Sequence, residues 1–173
     1  MQDILAKASI VKLLICDVDG VMTDGRLFFS DAGLEYKAFH SRDGLGIIML
    51  QRSGIPLAII TARRSDVVTH RMKNLHIELV FQGQKNKLQA FDEICQQLDL
   101  QPEQIAYIGD DLVDLPVMKK VGLSIAVADA HERVKQHADW VTSHSGGQGA
   151  VRDVCELLMQ AQGTLEEQFS VYL

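Results

Sequence analysis

Short, unbroken apolar runs alternate with stretches in which apolar positions recur every three or four residues, and the alternation holds from one end of the chain to the other. The first kind suits buried strands and the second amphipathic helices. Strands are predicted at 12–16, 56–60, 78–81, 105–108, 124–127 and 140–142. Helices are predicted at 44–52, 65–75, 86–98, 112–121, 131–137 and 150–161. A βα repeat of this kind means an α/β fold, with a mainly parallel sheet and helices on both faces. Gly54 and Gly122 stand just past their helices as closing residues, and Pro102-Glu103 restarts the chain after the helix that ends near 98. No repeat, low-complexity tract or linker interrupts the pattern, so one domain over residues 1–173 is expected.

Residues 26–39 break the alternation. Arg26-Leu27-Phe28-Phe29-Ser30 and Leu34-Glu35-Tyr36-Lys37-Ala38-Phe39 are β-type runs joined by Asp31-Ala32-Gly33, which reads as a hairpin. Phe28, Phe29, Tyr36 and Phe39 make it rich in aromatics, and a two-stranded hairpin cannot bury both of its faces alone. Something must cover it.

Composition narrows the class of partner. Seventeen basic against 23 acidic residues give a net charge of -6, and no long run of Lys or Arg occurs. A nucleic-acid or anionic-membrane surface is therefore not expected, and a small-molecule partner is. Cys16, Cys95 and Cys155 are far apart, odd in number and without zinc-site spacing, so they read as reduced core thiols. The first nine residues mix Gln, Asp and Lys among apolar ones and make no secretory signal. No apolar stretch reaches spanning length. A soluble, cytoplasmic protein is the expectation.

The candidate chemistry starts in Leu13-Leu14-Ile15-Cys16-Asp17-Val18-Asp19-Gly20-Val21-Met22-Thr23, an apolar run that ends in two carboxylates. In open α/β sheets, ligands gather beyond the carboxyl ends of such strands. Alternation sends Asp17 and Asp19 to one side and Val18 to the other. By itself the segment also fits a plain Asp/Gly turn. Yet Asp17, Asp19, Gly20 and Thr23 resemble the first motif of the haloacid dehalogenase-like phosphohydrolases, and three further signatures follow in order. Thr61 ends the next strand, where alone it would pass for a helix cap. Lys87 begins a helix after Asn86, with Lys85 as the runner-up. Gly109, Asp110, Asp111 and Asp114 close a later strand, where acids alone would suit a helix N-terminus.

The resemblance assigns roles. Asp17 is the nucleophile that forms an aspartyl-phosphate, Asp19 the general acid and base, Thr61 a donor to the phosphoryl group and Lys87 the screening cation. Mg²⁺ takes near-octahedral oxygen ligands and keeps several waters, which suits Asp17, the carbonyl of Asp19, and Asp110. Asp111 and Asp114 are expected to orient Lys87 and the local backbone. The implied fold is Rossmann-like. The segments between the motifs leave no room for a cap domain, so a neighbouring subunit is expected to close the site with its hairpin, which would otherwise be left uncovered.

A narrower match spans nearly the whole chain. Asp17 to Gly25, Phe39 to Gly46, Ala106 to Pro116, Ala126 to Ala130 and Gly146 to Arg152 resemble the 3-deoxy-D-manno-octulosonate 8-phosphate phosphatase family. This implies a capless, Mg²⁺-dependent homotetramer serving lipopolysaccharide synthesis. Its substrate contacts carry over to Asp19, His40, Ser41, Arg42, Asp43, Gly44, Arg63, Arg71 and Lys87. Gln148 departs from the arginine common in that segment. Two other readings stay open: a phosphatase of a nine-carbon keto-sugar acid 9-phosphate, and a catalytically silent binding or scaffold subunit.

Overall fold

The computed structural model describes residues 1–173. In chain order its elements are α1 (Gln2–Ser9), β1 (Leu13–Cys16), β2 (Phe28–Phe29), β3 (Glu35–Tyr36), α2 (Ser41–Arg52), β4 (Leu57–Thr61), α3 (Asp66–Asn74) and β5 (Leu79–Gln82). There follow α4 (Lys87–Leu98), β6 (Ile105–Gly109), α5 (Leu115–Met118), β7 (Leu123–Ala126), α6 (Glu132–Lys135), β8 (Trp140–Val141), α7 (Ala150–Ala161) and α8 (Leu165–Ser170).

Six strands form one sheet in the order β5-β4-β1-β6-β7-β8, with every pairing parallel. β1 lies inside the sheet, buried on both faces as an unbroken apolar run demands. The chain leaves β1 toward β4 and β5, then returns to build β6, β7 and β8 on its other side. Right-handed crossovers in opposite directions put α2 and α5 on opposite faces. α1 and α2 accordingly pack on α7, while α4 packs on α5. Direction reverses at β1, and the crevice for a ligand opens beyond its carboxyl end. Cys16 stands opposite Ile59 and Ile108, so Asp17 leaves the sheet within one residue of Thr61 and Asp110.

Several elements differ from the sequence expectation. α2 begins at Ser41 rather than at 44, because its buried face against α7 outweighs the poor helix propensity of Gly44 and Gly46. The helix expected over 112–121 starts as a 3₁₀ turn over Leu112–Asp114 and becomes α-helical only at Leu115–Met118. Pro116 sits at the start of that second piece, where a missing N–H costs least. α1 and α8 were not foreseen. α1 buries only Ala8, and the Gln162 amide ties its end down by donating to Ala8 O (3.2 Å) and Val11 O (2.7 Å). The hairpin pairs only Phe28 with Tyr36 and Phe29 with Glu35, and its loop runs from Ser30 to Leu34. Leu27, Phe28, Phe29, Leu34 and Tyr36 on it are each 48% exposed or more.

Candidate active site

Beyond β1 the chain turns at once. The amides of Val21, Met22 and Thr23 all donate to Val18 O, at 3.2, 2.9 and 3.1 Å, and the Thr23 hydroxyl accepts from the amides of Gly20 (3.3 Å) and Gly25 (3.2 Å). Thr23 is thus the clamp of this turn. Gly20 has φ +87°, and a Cβ there would fall 2.0 Å from Asp110 Oδ2. A glycine is needed so that the Asp110 carboxyl can lie against the backbone next to Asp19.

Asp17 is buried and held from two sides. The Val18 amide donates to its Oδ1 at 2.7 Å, and Lys87 Nζ lies 2.7 Å from its Oδ2. The Lys87 ammonium also donates to Asp114 Oδ1 (2.7 Å) and to the Tyr107 hydroxyl (3.3 Å). Asp114, which is fully buried, accepts from Tyr107 at 2.6 Å on Oδ1, and from the amides of Asp110 (3.0 Å) and Asp111 (3.2 Å) on Oδ2. Burial pulls the Lys87 ammonium toward neutrality, but Asp17 and Asp114 more than offset this and its pKa ends above the ordinary value. Lys85 is exposed instead.

Burial, then the Asp114 and Asp17 charges, push the Asp110 carboxyl up to about 8. Burial, opposed by Lys87 and reinforced by Asp114, raises Asp17 to about 6. One ammonium therefore serves three carboxylates, and the surplus negative charge asks for a cation. Ligand oxygens of Asp17, Asp110 and Asp114 lie within 4.8 Å of one another. Both oxygens of Asp114 are already taken by four protein donors, whereas the carboxylate of Asp110 has none. Asp17 and Asp110 are therefore the side chains that fit a hard divalent ion, with Asp114 orienting them.

Asp17, Asp19, Thr61, Arg63, Asp110 and Asp111 line a cavity of about 170 Å³ at this strand end. Asp19 faces the hairpin. Lys37 Nζ bonds Asp19 Oδ1 and lies 3.4 Å from Glu35 Oε1, while Arg63 reaches Glu35 at 2.7 Å and stands 3.8 Å from Asp19 Oδ2. The hairpin thus leans on the site of its own chain.

The remaining expected contacts do not line this cavity. Ser41 and Arg42 are exposed at the start of α2. Asp43 is turned toward α7, accepting from the Arg152 amide at 2.8 Å, because its position in the helix places it on the buried face. Arg71 lies over the Phe39 ring at 5.7 Å and against Gly44. Its Nε and His40 Nδ1 are buried without a hydrogen-bond partner. Lys37, Glu35 and Tyr107 were missed by sequence reasoning. For the first two a signal existed: alternation from Leu34 to Lys37 sends Glu35 and Lys37 to one side of the strand. Tyr107, inside an apolar run, gave none.

The fold and this constellation of acids define a phosphoryl-handling hydrolase. A family model for haloacid dehalogenase-like hydrolases matches residues 58–153, and the chain belongs to that family. It is 52% identical over 165 residues to the 3-deoxy-D-manno-octulosonate 8-phosphate phosphatase KdsC of Escherichia coli (strain K12), covering 95% of this chain and 88% of that protein. The crystal structure of the corresponding phosphatase from Yersinia pestis superposes with a TM-score of 0.94 at 52% identity, over 95% of this chain and 89% of the other. That of Moraxella catarrhalis, in complex with magnesium ion, phosphate ion and KDO, gives 0.98 at 41% identity, over 100% and 99% of the two chains. The narrow resemblance drawn from the sequence is borne out.

Proposed function

We propose that the chain is a Mg²⁺-dependent phosphatase that hydrolyses 3-deoxy-D-manno-octulosonate 8-phosphate to the free sugar acid and phosphate. The observation that carries it is the pairing, across one cavity, of a Lys87-held Asp17 with an Asp110 carboxylate that no protein donor satisfies. Identity of 52% to the Escherichia coli phosphatase supports the choice of sugar.

Asp17 attacks phosphorus, the P–O ester bond breaks, and the leaving oxygen takes the proton of the Asp19 carboxyl. Water then attacks the aspartyl-phosphate and gives a proton back to Asp19, which frees phosphate and restores both carboxyl groups. The Thr61 hydroxyl donates to a phosphoryl oxygen, and Lys87 screens the repulsion between Asp17 and the incoming dianion. Asp17, Asp110 and the carbonyl of Asp19 would hold a divalent cation, which when bound would supply neutralising charge for the phosphate. Arg71 and His40, with buried polar atoms still unpaired, suit the sugar-acid end. Arg63 first has to exchange its bond to Glu35 for one to substrate.

The reading extends to a cytoplasmic homotetramer. The three free cysteines fit a reducing compartment. The exposed apolar residues of the hairpin, Phe28 and Tyr36 on one side and Phe29 on the other, call for another copy.

Phosphate release from this sugar phosphate, from a nine-carbon keto-sugar acid 9-phosphate and from nitrophenyl phosphate decides between the readings. The eight-carbon ester should be preferred, EDTA should stop release, Mg²⁺ should restore it, and Asp17→Asn should release none while staying folded. Preference for the nine-carbon ester would move the substrate, and no release from any of the three would leave a scaffold.

A further inference from the structure

The two carboxylates of the first motif are held very differently. Asp17 is fixed by a backbone amide and by Lys87, all within the body of the fold. Asp19 receives no backbone N–H. Its one hydrogen-bond donor is Lys37 of the hairpin, on Oδ1, and the nearest other cation, Arg63 Nε, stands 3.8 Å from Oδ2, beyond bonding distance.

Lys37 is itself unusual. Its side chain is 1% exposed, although it belongs to a hairpin whose neighbouring residues lie largely in water. Burying an ammonium is costly unless carboxylates take it up, and Asp19 and Glu35 do so here. Fastening the hairpin to the body would need no buried lysine. The contact between Glu35 and Arg63, 2.7 Å long and at the surface, already does that.

We propose that Lys37 is a positioning residue for Asp19, so that the hairpin forms part of the acid-base apparatus of its own chain as well as a cover. This rests on the phosphatase reading above. A carboxylate on two rotatable bonds samples several directions, and acid-base work requires it within about 3 Å of the ester oxygen or water. Lys37 removes that freedom by holding Oδ1. An Oδ1 that accepts from an ammonium does so in both states of Asp19, while Oδ2 carries the proton that is given up and regained. Lys37 is engaged by Asp19 and lies beside Glu35 on its own hairpin, and it acts on substrate through Asp19, so its loss should appear in kcat rather than in KM.

A double-mutant cycle tests this with Lys37→Met, Lys37→Arg, Asp19→Asn and Asp19→Asn combined with Lys37→Met, each assayed with Mg²⁺ on the sugar phosphate and on nitrophenyl phosphate. Lys37→Met should lower kcat on the order of ten- to a hundredfold, the scale of a misplaced catalytic group, with KM changed by no more than about twofold. Lys37→Arg should recover most of kcat. In the Asp19→Asn background, Lys37→Met should cost no more than about twofold, because the residue through which it acts is gone. If Lys37→Met does not fold, Lys37→Gln, which keeps an uncharged amide donor, replaces it in the cycle and should show an intermediate kcat. Losses that multiply in the double variant, a rise in KM at unchanged kcat, or an arginine no better than methionine would overturn the proposal. Wild-type protein that hydrolyses neither ester would overturn the phosphatase reading and this role with it, whereas an active wild type with multiplying losses would sink the role of Lys37 alone.

Discussion

Asp110 gives the site its clearest dependence on solution conditions. Its carboxyl is pushed from an ordinary 3.8 to about 8, first by burial and then by Asp114 and Asp17. Between those values the folded, metal-free protein keeps a proton that the unfolded chain has lost, so stability falls as pH rises through the window. Asp17, raised to about 6, adds to the lower half. Glu35 and Asp139, whose carboxyls are held below their usual range, are ionised throughout the upper part and give no slope there. In EDTA, Tm should therefore drop from pH 5.5 to 8.5, Mg²⁺ should raise it most at the alkaline end, and Asp110→Asn should flatten the upper part. A metal-free Tm that climbs with pH would contradict this account. Asp17, Asp19, Thr61, Lys87 and Asp110 were legible because each ends a strand or begins a helix beside one, where sequence position fixes spatial position. For Lys37 alternation fixes only its side of the strand, and its contact with Asp19 depends on the hairpin folding back across the chain.

At the scale of elements, the loop before α7 buttresses the turn that carries Asp19. The Gly147 amide donates to Val21 O at 2.9 Å and the Gly146 amide to Asp129 Oδ1 at 2.9 Å. A Cβ on Gly146 would fall 1.7 Å from Gly20 O, which is backbone and cannot step aside. Gly146→Ala should cost about 1–3 kcal/mol in chemical unfolding, as overpacking does, and lower kcat by displacing the Asp19 turn. An alanine variant with wild-type stability and turnover would show that the turn moves freely. Long periodic elements such as α4 and α7 were readable because one buried stripe dictates them. α8 was not, since its docking rests on Gln168, which is polar but buried, and on Phe169 stacked 5.9 Å from Arg152, pairings that no periodicity announces.

For the whole molecule, the exposed aromatics on both sides of the hairpin motivate the expected assembly. Phe28→Glu with Phe29→Glu should yield smaller species in light scattering and a lower kcat/KM for the sugar phosphate, with a milder loss on nitrophenyl phosphate. A fully active monomer would remove the case for assembly. Parallel order and the position of the crevice followed from the βα alternation, whereas what the hairpin touches did not, because alternation describes its two sides without saying what each meets. Asp17 rides on a strand locked between two neighbours, and its own amide donates to Ile108 O at 3.2 Å. Asp19 takes its bearing from a ribbon of two residue pairs. The nucleophile is therefore as immobile as the fold itself, while its proton partner answers to the least protected segment. A breathing of that ribbon would unseat the acid and leave undisturbed the strand that must attack the next ester.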